Sequence, residues 1–129
     1  MAEIIEMKFP AKREYMKAIR LAVSGIACNI DYDVDEIEDL KTCVGESCIL
    51  FLCGQTCKGI ELKIECADSM LITVRGLEIS PVCEECEDDC TGFNEEISKL
   101  MIQSLSEDAE FLEQDGMLRE ITFKKTPAV

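Results

Sequence analysis

Apolar and polar residues alternate around Ile5, Met7 and Phe9 and the pattern stops at Pro10. This predicts a strand over residues 3 to 9 at a sheet edge, where a missing N–H is tolerated. From Arg13 to Asn29 the period changes: Met16, Ile19, Val23, Ile26 and Ala27 recur at helical spacing, with Lys17 and Arg20 on the other side. Asp33 followed by Glu36 reads as a capping box. Behind it Ile37, Leu40, Val44, Cys48 and Phe51 extend a second helix to about Leu52, with Gly54 helping to end it. Two strands follow, Gly59 to Cys66 and Met70 to Arg75, joined tightly at Asp68-Ser69. Asn94 is placed to cap a third helix running to about Glu107, with Glu95 and Glu96 favourable in its first turn and Leu100, Met101, Ser104 and Leu105 as its packed face. Ala109 to Glu113 and Met117 to Lys125 form a closing hairpin that turns at Asp115-Gly116. Paired strands separated by helices predict an α+β two-layer sandwich: a mostly antiparallel mixed sheet of about five strands covered by three helices.

Composition narrows what such a fold can do. At 129 residues the chain suits one domain, with 47% hydrophobic and 31% charged residues, the balance of a folded globule. Thirteen Lys and Arg against 27 Asp and Glu give a net charge of -14, a surface that repels nucleic acid and anionic lipid. Most of these acids are expected on a solvated face; the sharper reading is steering toward a basic region of a protein partner. No histidine is present, which excludes Ser-His-Asp and Cys-His catalysis and imidazole metal sites. The strongest apolar run, Ile49 to Cys53, falls far below the roughly 20 residues that span a bilayer. The first residues lack a basic segment followed by an apolar one, so the expected location is the cytoplasm.

Nine cysteines are many for such a chain, and in a reducing compartment they argue for metal or redox chemistry before structural disulfides. Cys83, Cys86 and Cys90 lie in an acidic loop over residues 81–94, at a spacing that can aim several sulfurs at one zinc ion or iron-sulfur cluster. Cys53 or Cys57 could supply a fourth ligand, with Cys48 beside them. Glu84, Glu85, Glu87, Asp88 and Asp89 crowd the same loop and oppose thiolate formation unless a cation offsets them, so free thiols and disulfides stay open as alternatives. Cys28, Cys43 and Cys66 fall on apolar faces and read as small core residues.

The stretches Met7-Lys8-Phe9-Pro10-Ala11-Lys12, Arg20-Leu21-Ala22-Val23-Ser24-Gly25-Ile26-Ala27 and Asp35-Glu36-Ile37-Glu38-Asp39-Leu40-Lys41 resemble the bacterial anti-sigma factor serine kinases of the GHKL, or histidine-kinase-like ATPase, superfamily. The likeness resumes in Leu100-Met101-Ile102-Gln103-Ser104-Leu105 and the closing hairpin. It implies the sandwich already read from the pattern, with loop 81–94 in place of an ATP lid. It also implies a homodimer that binds a sigma factor or its antagonist, with Arg20 at the position relatives use for that contact. An exposed helix arginine without a partner is the plain alternative.

Three short boxes carry the family's ATP chemistry. A general-base Glu and, four residues on, an Mg²⁺-binding Asn match Glu46 and Leu50 here. Leucine has no oxygen to offer a hard cation. The Asp-x-Gly-x-Gly that holds adenine matches Gly76-Leu77-Glu78-Ile79-Ser80, which lacks the carboxylate and the permissive glycines and adds a charge at Glu78. The phosphate-cradling Gly-x-Gly matches Glu96-Ile97-Ser98, where a carboxylate would repel phosphate. These departures lead us to expect that Mg-ATP binding is weak or absent and that Glu46 is a vestigial base or a solvated helix residue. Three functions remain: an anti-sigma-like binding protein without kinase activity, a zinc or iron-sulfur redox sensor on the same fold, or an active serine kinase whose Mg²⁺ is held elsewhere.

Overall fold

The computed structural model describes residues 2–53, 56–79 and 92–128. Within them the chain runs β1 (Glu3–Pro10), α1 (Met16–Ala27), α2 (Val34–Cys53), β2 (Gly59–Cys66), β3 (Met70–Leu77), α3 (Glu95–Leu105), β4 (Glu107–Gln114) and β5 (Met117–Lys125). Every expected element is present in the expected order. The five strands form one sheet in the order β1-β2-β3-β5-β4, and every pairing is antiparallel, so the sheet is not mixed. β1 lies at an edge, as Pro10 requires.

Local chemistry accounts for most of the boundaries. The capping box ahead of α2 is reciprocal: Asp33 N–H donates to Glu36 Oε1 at 2.9 Å and Glu36 N–H donates to Asp33 Oδ1 at 2.8 Å. Asn94 Oδ1 accepts from the Ile97 N–H at 3.1 Å and starts α3. The β4–β5 turn takes φ of 55° at Asp115 and 76° at Gly116, the left-handed pair that a two-residue hairpin needs. Two expectations are corrected. Residues Arg13–Tyr15 form a 3₁₀ turn, and α1 proper runs only from Met16 to Ala27. The packed face of α3 is Ser98, Ile102 and Leu105, whereas Leu100 is 58% exposed and Ser104 faces solvent. Spacing admits either stripe; packing against α2 selects the one that buries Ile102. Gly54 and most of loop 81–94 lie outside the described residues.

The core sits between the helices and one sheet face. Ile60, Leu62 and Ile64 of β2, Met70, Ile72 and Val74 of β3, and Ile121 and Phe123 of β5 meet Leu40, Val44, Leu50 and Phe51 of α2. At this burial each large side chain contributes about 2 kcal/mol. The opposite sheet face is polar. Lys8, Glu61, Arg75 and Glu120 are register partners across four strands, with N–O distances of 3.7, 3.8 and 2.9 Å along the row. Such alternation fixes register, because a one-residue slip would bury this row.

Candidate functional site

Three helices frame a cleft of about 570 Å³. One wall belongs to α1 and the turn before it, where Arg13, Lys17 and Arg20 recur at i, i+4 and i+7 and so share a face. α2 contributes Glu46, Ile49 and Cys53 at i, i+3 and i+7. The N-terminal half of α3 closes the third side with Asn94, Ile97, Ser98 and Met101. The Arg20 side chain crosses α2 at Gly45: a Cβ there would lie in ordinary contact, 3.5 Å from both Cδ and Nη1 of Arg20.

The structure joins two of the box positions directly. Ser98, buried on α3, donates its hydroxyl to Glu46 Oε2 at 2.7 Å. The other matched positions separate. Leu50 is 2% exposed and packs in the core, away from the cleft lining. Glu78 is exposed with a φ of 52°, Glu96 is exposed in the first turn of α3, and Ser80 lies outside the described residues. Gly76 is a packing seat: a Cβ there would come within 2.8 Å of Phe51 Cδ1 and 2.9 Å of Ile79 Cδ1.

The cysteines of α2 do not converge. Cys53 lines the cleft and its sulfur accepts a hydrogen bond from Arg13 Nη2 at 3.3 Å. It is disulfide-bonded, so it offers a thiolate to a metal only after reduction. Cys48 is 1% exposed inside the core, where burial pushes its thiol up to about 12. Cys57 packs against the core and donates to the Phe51 carbonyl at 3.6 Å, and burial pushes its thiol up to about 11. The expectation that Cys48 and Cys57 lie beside Cys53 at one centre is therefore corrected: of the three, Cys53 alone lines the cleft. Among the described residues no three Cys, Asp or Glu side chains gather as a metal site, and Cys83, Cys86 and Cys90 lie outside those residues. Of the three cysteines read as core, Cys43 is buried and Cys66 is half-buried against the core. Cys28 is exposed because it falls at the C-cap of α1, one residue past the buried stripe.

Sequence reasoning found Arg20 and Glu46 but missed Arg13 and Lys17 as their neighbours. The i, i+4, i+7 spacing of three cations in a chain of net charge -14 was the available signal. No helix among the described residues is long and apolar enough to cross a membrane.

No protein-family model matches the chain. It is similar to the serine-protein kinase RsbW of Bacillus licheniformis, at 57% identity over 47 residues, or 36% of this chain and 29% of that protein. The serine-protein kinase RsbW of Bacillus subtilis strain 168 matches at 55% over 47 residues, with the same coverage. That of Halalkalibacterium halodurans matches at 52% over 46 residues, 36% of this chain and 28% of the relative. The match thus spans less than a third of each curated relative.

Proposed function

We propose that this protein is a regulatory binding protein of the anti-sigma type that engages a protein partner, acts as a homodimer and has lost ATP binding and kinase activity. Similarity to the RsbW kinases supports the lineage. The observation that carries the loss is the state of the first box. Leu50 is sealed in the core without an oxygen donor, and Glu46 holds a buried serine hydroxyl at 2.7 Å where a base would face a substrate hydroxyl. Phe51 and Ile79 fill the space over Gly76, against which a ligand's base would have to lie. The residues at these positions do not fit a magnesium nucleotide.

The partner is a sigma factor or an antagonist of one, and Arg20 is the contact residue. Its guanidinium stands on the cationic wall of the cleft, where it adds steering and a forked donor for a carboxylate. The test is co-purification of the tagged chain with its partner from a native host. Wild type should retain a partner that Arg20→Glu loses with unchanged folding; equal retention by both removes Arg20 from the interface. Light scattering of the purified chain tests the homodimer.

A second reading rests on the Cys83-x-x-Cys86-x-x-x-Cys90 spacing: a zinc or iron-sulfur centre as the input signal. Stoichiometric zinc, or iron with acid-labile sulfide, in anaerobically purified protein supports it; neither metal leaves the cysteines as thiols or disulfides.

A further inference from the structure

The cleft joins two chemistries that the proposed function does not use together. Met16, Ile49, Phe93, Ile97 and Met101 give the lining an apolar stretch, with Asn94 and Ser98 between them on the α3 side. Ile97 remains 55% exposed, an apolar side chain left at the mouth. Its α1 wall is cationic over about 10 Å, the axial rise of seven helical residues. Among the described residues Lys17 and Arg20 form no ion pair, although acids outnumber bases about two to one in the chain. Among the described residues the one carboxylate in the lining, Glu46, accepts the Ser98 hydroxyl. Arg13, Lys17 and Arg20 against Glu46 leave an excess of two positive charges among the described lining residues, which suits a small anion. A cavity of about 570 Å³ falls within the range of small-molecule sites, which are mostly apolar with a few placed polar groups.

We propose that this cleft binds a small organic carboxylate with an apolar body. The carboxylate lies between Lys17 and Arg20, where the guanidinium supplies a forked pair of donors. The apolar body lies along Met16, Ile49, Ile97 and Met101. The site stands on the cleft alone and holds whether or not the chain regulates a sigma factor.

The test uses the full chain with ¹³C-methyl-labelled methionine, titrated with decanoate and, separately, decanol. Decanoate should give saturable shifts at the methyls of Met16 and Met101, and decanol should bind about tenfold more weakly or worse. Lys17→Gln and Arg20→Gln should each weaken decanoate about three- to tenfold while leaving decanol binding unchanged. Lys17 is exposed, so its variant retains the fold. The proposal is overturned if neither methyl shifts up to about 5 mM decanoate, a concentration that detects even millimolar binding. It is equally overturned if decanol binds as tightly, if both variants bind decanoate like wild type, or if Mg-ATP moves the same methyls at lower concentration.

Discussion

Replacing Gly76 by alanine puts a methyl group where the structure has no room for one. Its carbon would sit 2.8 Å from Phe51 Cδ1, 3.0 Å from Phe51 Cε1 and 2.9 Å from Ile79 Cδ1. The Ile79 contact is with the far end of a flexible, half-buried side chain and relaxes cheaply. The Phe51 ring does not: it is fully buried in α2 against the sheet, and moving it displaces neighbours at crystal-like packing density. Overpacking of this kind costs about 2 kcal/mol. For a chain of this length that lowers Tm by roughly 7 °C, from an unfolding entropy of about 2.1 cal/mol/K per residue. Scanning calorimetry and urea unfolding both read it. Phe51→Leu removes the ring atoms, so in that background Gly76→Ala should cost less than about 0.5 kcal/mol, a coupling that isolates this contact. Gly76→Asp, which restores the residue type of the resembled family, should be worse than Gly76→Ala because a charge enters the same space. Gly76→Ala within about 0.5 kcal/mol of wild type would refute the reasoning.

Other consequences follow from single contacts. Tyr32 donates its hydroxyl to the Lys125 carbonyl and accepts from the Met70 N–H at 2.8 Å, so Tyr32→Phe should cost about 1–3 kcal/mol, read by urea unfolding, through an unpaired buried amide. Burial pushes the Tyr32 phenol up to about 12; because the folded form holds its proton longer, its share of stability is full below about pH 10 and is lost as pH rises toward 12. Tyrosinate absorbance of a Tyr15→Phe variant, which leaves Tyr32 as the sole tyrosine, should therefore rise well above pH 10, and ionisation centred near pH 10 would contradict the buried geometry. Asp33→Ala should cost about 1 kcal/mol by breaking the reciprocal cap, with Asp33→Asn recovering most of it in the same unfolding assay. Alkylation at pH 8 followed by peptide mapping should label Cys28 within minutes while Cys43 and Cys48, both pushed up to about 12 by burial, stay protected until unfolding; early labelling of Cys48 would contradict its place in the core.

Where local chemistry decides, the sequence was legible. The Asp33–Glu36 box, the Asn94 cap and the Asp115-Gly116 turn each satisfy backbone donors or dihedrals with neighbouring residues, and each occurs as read. In β2, Ile60, Leu62 and Ile64 alternate with polar residues and all three are buried. The misreadings share a cause in tertiary packing. Two stripes of α3 were apolar enough to pack, and contact with α2 chose Ile102 over Leu100. The cysteines of α2 were grouped by closeness in sequence, yet at 100° per residue Cys53 lies about 140° round the helix from Cys48. That geometry alone sends one sulfur to the core and the other to the cleft. The Glu46–Ser98 hydrogen bond and the seat of Phe51 over Gly76 join residues 52 and 25 positions apart, and no local pattern announces either.

Loss of the nucleotide is the claim on which the proposed function turns, and calorimetric titration of the full chain with Mg-ATP addresses it most directly. With Leu50 sealed in the core, Glu46 engaged by Ser98 and Phe51 filling the space over Gly76, no saturable heat is expected up to about 1 mM nucleotide. A one-site isotherm with a Kd of about 1–10 µM would contradict the account and return the chain to the kinases it resembles.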